Sequence, residues 1–124
     1  MKILLLSLYF LTGTYGLNDR FANTNWVSKV SNRYTDSFNF RPNKYVVHYC
    51  AASERTFHGS YTISKDTLII RERNNIYGDR TEYYRIKFLL KNHVLYPYSH
   101  EELVAHRWEK SKTQLAKSYI FRRI

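Results

Sequence analysis

Phe57-His58-Gly59-Ser60-Tyr61-Thr62-Ile63, then Ser64-Lys65-Asp66 and Thr67-Leu68-Ile69-Ile70, reads as two antiparallel strands joined by a short polar turn. On the first strand Phe57, Gly59, Tyr61 and Ile63 share one face, and His58, Ser60 and Thr62 share the other. Successive side chains of a strand point to opposite faces, so this period of two marks one buried and one wet side. Leu68 and Ile70 resume the apolar side beyond the Lys65-Asp66 tip. Gly59 falls on the apolar side, where a missing side chain lets the sheet bend or a neighbouring chain approach closely.

The same alternation extends outward in both directions. Upstream, residues 25–30 open a first strand with Trp26 near its start, and Asp36 to Phe40 alternates with Phe38 and Phe40 on one face. Arg41-Pro42-Asn43 breaks the run, since proline donates no ladder hydrogen bond and asparagine tolerates turn geometry. Residues 44–50 form a third strand, on which Tyr45, Val47 and Tyr49 share the face expected to point inward. Downstream, Thr81 to Leu90 is the longest run, with Glu82, Tyr84, Ile86, Phe88 and Leu90 on its inward side. Val94-Leu95-Tyr96 begins another strand, which Pro97 ends or confines to an edge. Ser99 with Glu102 fits a capping box, and Val104 and Trp108 fall four apart, so a short helix or lid is expected near 99–107. Leu115 to Ile124 returns to strand. About eight short strands with tight connections predict an all-β fold, an antiparallel up-and-down barrel or sandwich.

A chain of 124 residues is one domain, and its first part reads as a secretory leader. A basic start at Lys2, an apolar run over Ile3 to Leu11 and a small-residue exit ending at Gly16 form the three-part layout of a signal peptide over 1–16. The mature domain is then 17–124, secreted or periplasmic. The apolar run is shorter than the roughly 20 residues a membrane span needs. No cysteine stands directly after it, which argues against a lipoprotein anchor. The formal net charge is +10, and loss of Lys2 lowers it by one. That surplus favours an anionic partner such as a lipid, a polysaccharide or an acidic protein. Nucleic acid is disfavoured by export.

Cys50 is the single cysteine, so no intramolecular disulfide forms, and no neighbouring signature marks it as a nucleophile. His100 and His106 lie six apart rather than the four that place two imidazoles on one metal, so no metal site is expected there. His48 and His58 lie on neighbouring strands and could meet across the sheet. No nucleophile elbow, Walker loop or dinucleotide loop is present, and no cofactor or catalytic group is expected. A carboxylate pair converging in space would still allow a small hydrolase.

Asn25-Trp26, Gly59-x-Tyr61-x-Ile63, Asp66-Thr67-Leu68-x-Ile70, Tyr83-Tyr84-Arg85-Ile86-Lys87-Phe88, Leu95-Tyr96 and Lys117-Ser118-Tyr119-Ile120-Phe121-Arg122-Arg123 together resemble the small secreted bacterial lipocalin-like domains, calycin-type β-barrels. The resemblance implies that Trp26 packs beneath an arginine of the last strand, Arg123 by parity, and closes the barrel floor. It also implies a binding protein for a small hydrophobic or amphipathic ligand. Tyr45, Tyr49, Phe57, Tyr61, Tyr84, Phe88 and Tyr96 are the expected interior lining, with aromatic walls and hydroxyl groups. A different function fits the same composition: a filled barrel acting through its loops as a protein-binding inhibitor or immunity-type module.

Overall fold

The computed structural model describes residues 20–76, 80–112 and 114–124. The expected leader over 1–16 lies outside the described residues. Nine strands form in chain order: β1 (Thr24–Lys29), β2 (Thr35–Arg41), β3 (Tyr45–Cys50), β4 (Arg55–Ser64), β5 (Thr67–Ile76), β6 (Arg80–Lys91), β7 (Val94–Val104), β8 (Arg107–Lys110) and β9 (Phe121–Arg123). All pairings are antiparallel. Neighbours in sequence pair from β1 to β7, and β9 then bridges β7 to β1, closing an eight-stranded up-and-down barrel. β8 stands outside the ring, folded back on the far half of β7.

The turns have the chemistry their geometry demands. Asn92-His93 joins β6 to β7 as a two-residue loop with φ values of 52° and 61°, the left-handed pair that matches strand twist. The β4–β5 tip is Lys65-Asp66, as the sequence predicts, with Lys65 at φ 56°. Gly59 is opposite Glu72 on β5, and its missing side chain lets the Arg71 carbonyl lie directly against its backbone.

Three local expectations change. The segment near 99–107 is not a helix: β7 runs through it to Val104, turns at Ala105-His106 with φ 49° and 64°, and returns as β8. A long partner in β6 offers this stretch a full ladder, from Lys91↔Val94 to Tyr84↔Glu102, and tertiary pairing overrides its helix propensity. The capping box does not form, and Ser99 instead hydrogen-bonds Glu101 at 3.5 Å. Pro97 does not end the strand. The register shifts between Lys87↔Ser99 and Phe88↔Pro97, so the proline sits at a bulge, where no ladder donor is needed. Leu115 to Ile124 is strand only at Phe121–Arg123.

The outer face of the β7–β8 hairpin is held by Arg85. Its guanidinium makes two 2.9 Å hydrogen bonds to Glu101 and lies 4.6 Å from the Trp108 ring centre. These hydrogen bonds hold the Glu101 carboxyl below its ordinary pKa range.

Inside, one half of the barrel is solid. Trp26, Phe38, Phe40, Val46, Tyr61, Leu68, Ile70, Phe88, Leu95 and Phe121 are buried together. Their rings meet edge to face or tilted, as in Phe40–Tyr61 at 5.0 Å and Phe88–Phe121 at 5.6 Å between centres. Each such pair contributes on the order of 1 kcal/mol beyond its area burial. Phe21, from the turn before β1, plugs this end by stacking on Trp26 and packing against Phe40 and Tyr61. Arg20 secures the plug by donating to the Lys65 carbonyl at 2.8 Å. Trp26 is buried in this end of the barrel, and Arg123 is its register partner. The ring against Trp26 is Phe21, however, and no described cation–ring contact places Arg123 on the indole.

Candidate functional site

Follow each inward face away from the plug and its chemistry changes. On β2 the order is Phe40, Phe38, Asp36; on β3 it is Val46, His48, Cys50; on β5 it is Leu68, Ile70, Glu72. On β6, Phe88 and Ile86 give way to Tyr84, and on β7, Leu95 and Pro97 give way to His100 and Glu102. The aromatic half is packed solid, whereas the polar half opens as a cavity of about 490 Å³. Phe57, Ile86 and Leu115 supply apolar wall, and Arg55 and Lys112 stand among the lining groups.

At the cavity's base lies a hydrogen-bonded chain. A carboxylate only accepts, so His48 Nδ1–H donates to Glu72 Oε1, at 2.6 Å. The other ring nitrogen, Nε2, lies 3.3 Å from the Tyr119 hydroxyl and 3.4 Å from Cys50 Sγ. Tyr119 donates to Asp36 Oδ2, and the Ala51 N–H donates to Asp36 Oδ1 at 2.9 Å. Phe38 lies under the imidazole, with 4.2 Å between ring centres. Burial opposes the charged ring, but Glu72 and then Cys50 outweigh it and carry the His48 pKa up to about 10. Near neutral pH, then, this is a buried imidazolium–carboxylate pair. Burial and the Asp36 carboxylate push the Tyr119 phenol far above its usual range, so it stays a donor. Burial and Glu82 raise Tyr84 to about 12.

The loop between β8 and β9 completes the site. β9 is three residues long and closes the ring only at the plugged end, so the wall beside the mouth is made by Ser111, Lys112, Leu115 and Tyr119 instead. Ser111 N–H donates to the His100 carbonyl at 2.9 Å, and Leu115 and Tyr119 pack against the core.

The residues expected to line the interior separate into three groups. Phe57 and Tyr84 line the cavity. Tyr61 and Phe88 are interior but belong to the solid half. Tyr45, Tyr49 and Tyr96 are outside, 39%, 39% and 38% exposed. The inward parity of β3 is the reverse of the one expected: Val46, His48 and Cys50 point in, because Val46 is opposite Gly59 and His48 opposite Phe57. His48 and His58 consequently lie on opposite faces and do not meet; His58 pairs with Val47 and bonds the Tyr45 hydroxyl. Tyr45 borders a separate outer groove of about 380 Å³, with Arg71, Arg73, Tyr83 and Trp108.

Sequence reasoning missed Asp36, His48, Glu72, His100, Glu102 and Tyr119 as a set. A usable signal was present in His48-x-Cys50 and in Glu72, two residues beyond Ile70, since strand parity puts each on its neighbour's face. No helix among the described residues is long and apolar enough to cross a membrane. Comparison of the chain with protein-family models, with curated proteins and with solved structures finds no match in any of the three.

Proposed function

We propose that this is an exported, lipocalin-like binding protein that takes a small amphipathic ligand in the open half of its barrel. The observation that carries this reading is the division of the interior. An eight-stranded barrel is just wide enough either to fill with side chains or to hold one small ligand. This one is filled at the Trp26 end and open at the Glu72 end. A cavity of that size, with apolar walls and a few convergent polar groups, is the usual form of a small-molecule site. The apolar part of the ligand lies along Phe57, Ile86 and Leu115, and its polar part meets Glu102, His100 and the His48–Glu72 pair. Export rests on the leader-like sequence over 1–16.

Native mass spectrometry of protein purified from its own host tests the reading. The expected result is a stoichiometric small-molecule adduct that Leu115→Trp, which narrows the mouth from a loop position, displaces. A bare protein mass, in wild type and variant alike, would overturn it.

A further inference from the structure

At the base of the mouth, a carboxylate, an imidazole nitrogen and a thiol converge from two strands. Asp36, His48 and Cys50 each present one ligand-type atom, and these atoms lie within 4.8 Å of one another. Asp36 and His48 are buried and Cys50 is half-buried, and all three face the cavity. We infer that they form a three-ligand site for a divalent transition metal of the zinc class.

Four observations support this inference. First, the donor set is mixed, and thiolate with imidazole selects zinc-like ions over calcium or magnesium, which prefer oxygen alone. Second, the spacing fits. Zinc bonds of about 2.3 Å to sulfur and about 2.0 Å to nitrogen at a tetrahedral angle put the two atoms about 3.6 Å apart. The Cys50 Sγ to His48 Nε2 distance is 3.4 Å. Third, His48 is oriented as metal-bound histidines are. Its Nδ1–H is committed to Glu72 at 2.6 Å, which turns Nε2 toward Cys50 and Asp36. Fourth, protein ligands from three side chains leave a coordination position, and the site opens onto a cavity that can fill it.

Without an ion, the same groups satisfy one another through Tyr119, which lies between His48 and Asp36. Tyr119 belongs to the loop before β9 rather than to a strand, so it can yield to an ion or donate to a group bound on it. Binding exchanges two protons for the ion, one from the Cys50 thiol and one from His48 Nε2. Glu72 keeps its bond to Nδ1 throughout. The inference is independent of the organic ligand proposed above, since the ion needs only this chain's side chains.

The test is a cobalt(II) titration of the reduced, chelator-stripped full chain, with no other ligand present. Cys50 is the single cysteine of the chain, so a sulfur-to-cobalt charge-transfer band in the near ultraviolet can only come from it. The expected result is one equivalent of cobalt with that band and tetrahedral visible bands, displaced by zinc. Cys50→Ser abolishes the near-ultraviolet band while Tyr119→Phe retains it. Glu72→Gln, which leaves all three ligands in place, weakens zinc binding about 10- to 100-fold. Absence of the band in the folded wild type at millimolar cobalt would overturn the inference. So would bound cobalt without a thiolate band, which would place the ion elsewhere, for instance on exposed His93 or His106.

Discussion

Replacing Gly59 with alanine tests whether the close approach of β4 and β5 is a structural requirement. A methyl group built on Gly59 falls inside the contact radius of the Arg71 carbonyl oxygen, 3.0 Å from its carbon and 3.2 Å from Glu72 Cα. Carbon atoms at optimal separation stand about 3.5–4.0 Å apart. The carbonyl oxygen is the tightest of these contacts, so the strands must separate by roughly 1 Å or more, and the atoms in the way are backbone, which cannot rotate aside. Overpacking of this kind costs typically 1–3 kcal/mol, and we place Gly59→Ala near the top, at about 3 kcal/mol. For a domain of this size that lowers the melting temperature by roughly 10–20 °C. Ser60→Ala, one residue along on the exposed face, should stay within about 0.5 kcal/mol. Urea unfolding of the two variants beside wild type measures both. A Gly59→Ala protein as stable as Ser60→Ala would show that the two strands separate freely, and would refute the steric argument.

Two further outcomes follow from the charges. The folded His48 pKa of about 10 exceeds the unfolded value of 6.5, so the native state holds a proton that the unfolded chain releases. The stability from this pair is complete below about pH 6.5 and is lost as pH rises through 10; in the metal-free protein the urea midpoint should fall across that window. Glu72→Gln should cost on the order of 3 kcal/mol at pH 6.5 and should flatten the slope, and an unchanged slope would refute the assignment. On the outer face, Arg71 and Arg73 in the groove beside Tyr45 favour an anionic partner. Arg71→Ser with Arg73→Ser should elute from a sulfated polysaccharide column at lower salt than a variant losing two positive charges at Lys29 and Arg33. Equal elution would reduce the attraction to net charge alone.

The period of two along 57–63 and 82–90 is enough to read strands with a known inward face: on the first segment large apolar residues occupy only one parity, and on the second most of them do, with Tyr83 and Leu89 exposed on the other. Residues 45–50 defeat that reasoning. Tyr45, Val47 and Tyr49 are bulkier and more apolar as a set than Val46, His48 and Cys50, yet the second set faces in. The register with β4 decides the matter, and register is a property of two strands at once. The same reversal hid the polar site: Cys50 reads as a buried or semi-buried thiol beside Val46 and His48, but with Tyr45 and Tyr49 taken as interior lining, His48 is read as a surface group and the two are not joined into a site. The 99–107 stretch misled for a related reason: its local helix signals are genuine, but the partner strand that outweighs them lies more than ten residues away.

The ladder is shortest at β9, where Trp26↔Arg123 and Val27↔Arg122 tie one side and Val94↔Arg122 and Leu95↔Phe121 the other. That stitch lies beside the greasy plug, while the opposite rim is held by a loop through Tyr119 and Ser111. Breathing of the molecule is therefore polarised: the loop can peel from Asp36 and His48 while the aromatic cylinder below stays intact. A ligand of the kind proposed would then have a route past this loop that leaves the aromatic cylinder folded.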